Sequence, residues 1–265
     1  MSNSKQQTDF LIAFTTEVRK LVDDGFYDID YDARHKPVSM SMTLQKSRNI
    51  PIITEVKFSS PSKGTIRKLQ SVKSVVSAMG RGGASGISVL TQPKHFNGSL
   101  ENLKEARKAT ILPILMKDFI FDTKQMTAAK KLGADAILLI ERLFKNDRFG
   151  NLGKLMDEAH SNKLEVLLEV NTKQEYERAI KSDADMIGIN NRNLGNLEMD
   201  METTARVLKK CSKTKKLIIS ESGIFSPKEM SALARLGVGA FLVGTSIMLS
   251  DDMEAKVREL SSVSR

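Results

Sequence analysis

The 265-residue chain predicts an α/β fold, a closed barrel of eight parallel βα units, and three observations carry that prediction. From residue 51 onward short apolar runs recur, each followed by a turn and then a polar stretch with apolar residues at helical spacing. The phrases "KLGADAILLI" and "RLGVGAFLVG" repeat one unit, a helix end closed by Gly133 or Gly237 and then a buried strand. Eight such units in ~210 residues suit a TIM barrel, whose usual size is about 250 residues. A doubly wound open sheet is the competing arrangement.

The runs are "PIITEVK" (51–57), "GISVL" (86–90), "PILMK" (113–117), "AILLI" (136–140), "EVLLEV" (165–170), "MIGIN" (186–190), "KLIIS" (216–220) and "AFLVG" (240–244). Between them lie candidate helices. "SLENLKEARKA" sets Leu100, Leu103 and Ala106 on one face, and "SPKEMSALARLG" starts with serine as cap and proline in the first turn. Ahead of the barrel, "DFLIAFTTEVRKLVDDG" places Phe10, Leu11, Phe14, Val18, Leu21 and Val22 on one helical face, so an extra helix is expected to pack on the barrel. The segment "PVSMSMTLQKSRNIP" is read as another short helix. With no low-complexity linker and no second core, residues 1–265 are read as one domain. Residues 1–50 form its N-terminal helical cap and 51–265 its eight βα units.

Composition narrows the function classes. Hydrophobic content of 40% with 28% charged residues is ordinary for soluble proteins, and no apolar stretch approaches the ~20 residues of a membrane helix. The N-terminus "MSNSKQQTDF" lacks the features of a secretory signal, so a cytoplasmic location is expected. Cys211 is the single cysteine, which excludes an internal disulfide, and His35, His95 and His160 are scattered without metal-ligand spacing. No metal site is expected. A net charge of +9 favours anionic partners. The lysines are spread along nearly every segment, and only 5% of residues are aromatic, so a small anionic ligand is favoured over nucleic acid.

In a barrel of this kind the reacting groups project from the C-terminal ends of the strands, because the interior below is packed solid. Those ends carry Glu55 and Lys57, Lys117, Glu169, Asn190 with Arg192, and Glu221 with Ser222. Strand alternation puts Glu55 and Lys57 on one face, where each makes the other less costly to desolvate. The plainer reading of that pair is a surface ion pair, worth ~0 to 1 kcal/mol. Lys117 closing a buried strand is awkward unless its ammonium faces a cavity containing anions; otherwise it snorkels to solvent. An enclosed Glu169 has a pKa raised toward the range useful for proton transfer, or else it pairs with a neighbouring lysine. Two glycine turns, "SESGI" and "VGTSIM", follow the seventh and eighth runs, where this fold commonly holds phosphate. Gly223, Gly244 and Thr245 offer N–H groups there, and Ser60 a hydroxyl from the first loop.

"EVKFSSPSKG", "LTQPKHFNGSLENL", "PILMKDFIFDTKQ", "GADAILLI", "LLEVNTKQE", "IGINNRNL", "SESGI" and "AFLVGTSIM" together resemble the indole-3-glycerol phosphate synthase family in order and spacing, over about residues 50 to 250. The resemblance implies a lyase of tryptophan biosynthesis that closes an indole ring with loss of carbon dioxide and water, using no metal and no organic cofactor. It implies Lys117 as general acid and Glu169 as proton-transfer partner in the dehydration. Lys57 would hold the anthranilate carboxylate, positioned by Glu55. Which lysine donates which proton stays open. By the same resemblance Asn190 and Arg192 would orient the substrate, Glu221 and Ser222 would complete the seventh strand's contribution, and Ser60, Gly223, Gly244 and Thr245 would take the phosphate. It also implies that Phe96, Phe119 and Leu138 would wall the anthranilate ring and that the N-terminal helix would cover the mouth. A monomer or weak homodimer is expected.

Four positions depart from the pattern. Phe58 stands where relatives carry a second basic residue, which puts phosphate affinity in question. Thr245 replaces a frequent serine or glutamate. Glu141 and Arg142 are more charged than the pattern asks and are read as a loop ion pair. Two rival readings exist. Phosphoribosylanthranilate isomerase would need a cysteine or aspartate acid–base pair, which Cys211 does not supply. A catalytically inert binder would leave the charged strand ends unexplained.

Overall fold

Eight strands close on themselves in chain order: β1 (Ile52–Val56), β2 (Gly86–Leu90), β3 (Ile114–Lys117), β4 (Ala136–Ile140), β5 (Glu165–Val170), β6 (Met186–Asn190), β7 (Leu217–Glu221) and β8 (Ala240–Val243). All neighbours run parallel, and β1 pairs with both β2 and β8. The computed structural model describes residues 9–68, 70–147 and 149–264. Residues 1–8, on which the reading of the N-terminus rests and with which the expected cap begins, lie outside them.

The strands are short, β-rich and buried on both faces because helices cover the outside while side chains fill the inside. They match the eight apolar runs to within a residue or two at each end. The seventh strand starts one residue later than its run and continues through Glu221, which lies opposite Asn190 in the ladder. The helices alternating with them are α3 (Val72–Arg81), α5 (Leu100–Ala109), α6 (Thr123–Leu132), α7 (Leu152–Ser161), α8 (Lys173–Ala179), α9 (Thr203–Lys210), α10 (Pro227–Ala234) and α12 (Met253–Ser261). Two one-turn helices, α4 (Pro93–Phe96) and α11 (Thr245–Met248), sit in the loops after β2 and β8. The expected start of α10 is present: Ser226 and Glu229 form a capping box around Pro227. In α5 the expected residues Leu100, Leu103 and Ala106 are the buried ones.

The N-terminal extension serves both ends of the barrel. Helix α1 (Phe10–Asp23) lies over the loops at the C-terminal ends of the strands. Phe14 packs on Phe96 and Phe119, Arg19 bonds Asp122, Arg142 bonds Asp9, and the Phe10 N–H donates to the Gly195 carbonyl. Its buried stripe is Leu11, Phe14, Thr15, Val18 and Val22. Phe10, placed on that stripe by the sequence reading, is exposed, because the first helical residue falls at the stripe's edge and Thr15 takes the inner place. The chain then runs down the barrel wall to α2 (Met40–Gln45), which closes the opposite end with Met40 and Leu44 fully buried. Two carboxylates at strand starts hold this segment. Asp135 accepts from the Val38 N–H and pairs with His35, and Glu165 accepts from Ser39 and Ser41. No described helix is long and apolar enough to cross a membrane.

Candidate active site

Alternation along each strand aims every second side chain inward, and at the C-terminal rim this delivers charge instead of hydrocarbon. From β1, Glu55 Oε2 meets Lys57 Nζ at 2.5 Å. From β3, Lys117 reaches across the barrel, with Nζ 2.5 Å from Glu221 Oε2 on β7 and 3.5 Å from Glu169 Oε2 on β5. Asn190 ends β6 between those two carboxylates, favours the charged form of Glu169, and accepts at Oδ1 from the Arg192 N–H. Arg192, two residues on, donates to the Leu197 carbonyl and faces the field of Glu55.

Burial sets the electrostatics here. It pushes the Glu169 carboxyl up, to about 7, because Lys117 only partly offsets the desolvation and Glu221 adds repulsion. Burial also pushes on Glu55, but Lys57 and then Lys117 outweigh it and hold that carboxyl below its usual range. For Lys117, burial works against the charge while Glu221, Glu169 and Glu55 more than restore it, so the ammonium holds its proton more tightly than a free lysine. Burial lowers Arg192, opposed by Glu55.

A cavity of about 1130 Å³, counted out to its open mouth, joins these groups to an apolar half and a glycine-rich end. Phe96 and Phe119 form its wall with ring centroids 6.2 Å apart, and Leu138 lies deeper and buried. At the other end, Ser60 sits on a small hairpin (Ser59–Ser60 with Gly64–Thr65). Ser222 and Gly223 both have left-handed backbone, and Gly244 precedes Thr245 at the start of α11. Every residue singled out at the strand ends and glycine turns lines this one cavity.

Several lining residues were not anticipated: Lys63, Leu90, Gln92, Asp118, Ile140, Leu194, Leu197 and Leu242. Phe58, suspected of costing the site a charge, is buried in the core and does not line the cavity, whereas Lys63 on the same loop does. The expected Glu141–Arg142 ion pair is not formed. Glu141 pairs with Arg178 on α8, and Arg142 with Asp9 and Asn193, because neighbours in sequence point apart and each charge finds a partner on another element.

Gly188 was also missed. A Cβ at Gly188, in the middle of β6, would lie 2.0 Å from Glu221 Oε1, and one at Gly244 would lie 2.5 Å from Glu55 Oε2. Both glycines make room for a buried carboxylate; a glycine inside the run "MIGIN" was the available signal. Gly188→Ala is expected to displace Glu221 and with it Lys117, lowering kcat about tenfold and stability by ~1 to 3 kcal/mol. Steady-state kinetics and urea unfolding on one preparation check both.

A lysine held between buried carboxylates, beside an aromatic wall and two glycine turns, marks the mouth of this (β/α)8 barrel as the candidate active site of an enzyme. The comparisons narrow the class. The family model described as indole-3-glycerol phosphate synthase matches residues 16–260, and the chain belongs to that family. The curated indole-3-glycerol phosphate synthase of Methanocaldococcus jannaschii is 42% identical over 246 residues, covering 91% of this chain and 89% of that one. That of Dehalococcoides mccartyi is 42% identical over 232 residues, 86% and 88% of the two chains. Among solved structures, thiamine phosphate pyrophosphorylase from Pyrococcus furiosus superposes with a TM-score of 0.58 at 17% identity, covering 83% of this chain and 95% of that one, which speaks to the fold alone.

Proposed function

We propose that Lys117 and Glu169 carry the proton transfers of this family's reaction and that Lys57, Arg192 and the glycine turns hold its substrate. The reaction is ring closure, decarboxylation and dehydration of 1-(2-carboxyphenylamino)-1-deoxyribulose 5-phosphate to indole-3-glycerol phosphate, a step of tryptophan biosynthesis. The observation that carries the assignment is the Lys117 ammonium set between Glu221 and Glu169 on the cavity floor.

In this reading the substrate's aryl ring lies against Phe96 and Phe119. Its carboxylate meets Lys57, which the contact with Glu55 holds in place. The ring carbon bearing the carboxylate attacks the ribulose carbonyl carbon, and Lys117 gives a proton to the carbonyl oxygen as the new bond forms. Carbon dioxide leaves with the substrate carboxylate, returning its bonding electrons to the ring. Glu169 in its ionised form then removes a proton from the methylene carbon next to nitrogen, the carbon–carbon double bond of the indole forms, and the hydroxyl takes a proton from Lys57 and departs as water. Asn190 and Glu221 keep the two proton carriers in place, and Ser222 borders the sugar. The phosphate takes the N–H groups at Gly223, Gly244 and Thr245 and the Ser60 hydroxyl. Helix α1 keeps water from the closing ring and so strengthens each charge interaction inside.

The same proposal extends to a single-domain, cytoplasmic enzyme, monomeric or weakly dimeric, whose +9 charge draws in a trianionic substrate. The direct test is incubation with the carboxyphenylamino substrate, following indole fluorescence. Product should appear with no added metal or cofactor. A preparation that binds DNA tightly at physiological salt and forms no product would defeat the reading.

A further inference from the structure

The peptide that carries Lys117 is held from three directions, one of which is the N-terminal extension. Asp118 follows Lys117 and is buried. Its Oδ2 accepts from the Tyr27 hydroxyl at 2.9 Å and the Thr91 hydroxyl at 2.5 Å, and its Oδ1 accepts from the Phe119 N–H at 2.8 Å. The Thr91 N–H donates to the Lys117 carbonyl at 3.2 Å. On the α6 side, Gln125 donates to the Phe119 carbonyl and accepts from the Phe121 and Asp122 N–H groups. Tyr27, in the turn after α1, is 2% exposed, and its hydroxyl reaches this junction from outside the βα units.

We propose that Tyr27 is a positioning residue for the reaction: its hydroxyl, acting through Asp118, sets the angle at which Lys117 enters the mouth and ties the covering helix to that angle. This rests on the reading of Lys117 as the acid. A small rotation at the end of β3 is magnified at Nζ, the far end of a four-carbon side chain. A misplacement of about 1 Å in such a site costs up to ~10²-fold in rate. Tyr27 stays a donor, since burial and then Asp118 push its phenol up. Burial likewise pushes Asp118 up, and the Thr91 hydroxyl, the Phe119 N–H and the Tyr27 hydroxyl favour its charged form. The aromatic contact works in the same direction, as Phe14 of α1 packs 5.5 Å from the Phe119 ring.

The test is Tyr27→Phe, which removes the hydroxyl alone, with kcat and KM measured separately by indole fluorescence. A kcat about tenfold lower with KM within twofold is expected. Thr91→Val should behave alike and Thr91→Ser should regain kcat, because the hydroxyl and not the packing is what matters. Ser41→Ala, which loosens α2 at the opposite end of the barrel, serves as the destabilised control and should leave kcat unchanged. An unaltered kcat in Tyr27→Phe, or a loss that Ser41→Ala reproduces at equal thermal stability, would overturn the positioning role. Lys117→Ala separates the two claims. If it keeps turnover, the reading of Lys117 has failed; if it is dead while Tyr27→Phe is unimpaired, only the role of Tyr27 has.

Discussion

Lys117→Ala is expected to lower kcat at least a thousandfold, with a circular dichroism spectrum like that of the parent. General acid catalysis contributes typically 10²–10⁴-fold, and no other ammonium lies within ion-pair distance of both Glu169 and Glu221 among the described residues. Lys117→Arg should not rescue it, because a guanidinium fills the space and the charge but does not release its proton. The fold survives because the layers below the rim, such as Leu115, Leu167 and Ile219, are apolar and fully buried. Stability should become strongly pH-dependent instead. Without the ammonium, Glu169 loses the charge that partly offsets its burial, so its folded-state pKa rises further above its unfolded value. The stability present below the unfolded pKa is then lost as pH rises through the folded one. Thermal unfolding at pH 5.5 and 8 checks this, and the variant should fall further behind the parent at pH 8. A variant that retains a tenth of parental turnover would remove Lys117 from the mechanism.

How far the sequence was legible follows from which facts are local. The strands announced themselves as apolar runs, and their last residues pointed to Glu55, Lys117, Glu169 and Asn190, because strand alternation and barrel polarity are short-range rules. Caps were legible for the same reason, as at Ser226. Facts that depend on what lies across the barrel were not. Gly188 reads as an ordinary weak spot in a strand until Glu221 is seen folded over it. Tyr27 reads as one more aromatic in a polar stretch until Asp118, 91 residues away, accepts from it. Glu141 and Arg142 were misread as partners because adjacency looked like contact; their true partners lie 37 and 133 residues away. The role of α2 was also hidden, since nothing in "PVSMSMTLQ" says which end of a barrel it closes.

Glu169→Gln should cost two to three orders of magnitude in kcat and only a few-fold in KM, because the groups proposed to hold carboxylate and phosphate are untouched. The amide keeps the shape and cannot take a proton, so the measurement isolates proton transfer from packing. The pH profile makes the assignment specific. With the Glu169 carboxyl pushed up to about 7 by burial, a step that needs its ionised form rises with pH through about 7, and that rise should disappear in the variant. Stability must move the opposite way. A carboxyl at about 7 in the folded protein and near 4.5 when unfolded binds the extra proton in the folded state across that window. Its contribution is therefore full below about 4.5 and lost as pH climbs through about 7. Glutamine has no such dependence, and Lys117 keeps Glu221 as a partner at 2.5 Å. The variant's melting temperature should thus gain on the parent's between pH 5 and pH 8 while its turnover stays low. That combination separates a carboxyl strained for catalysis from one that only completes an ion pair, whose loss would destabilise the protein more as the pH rises.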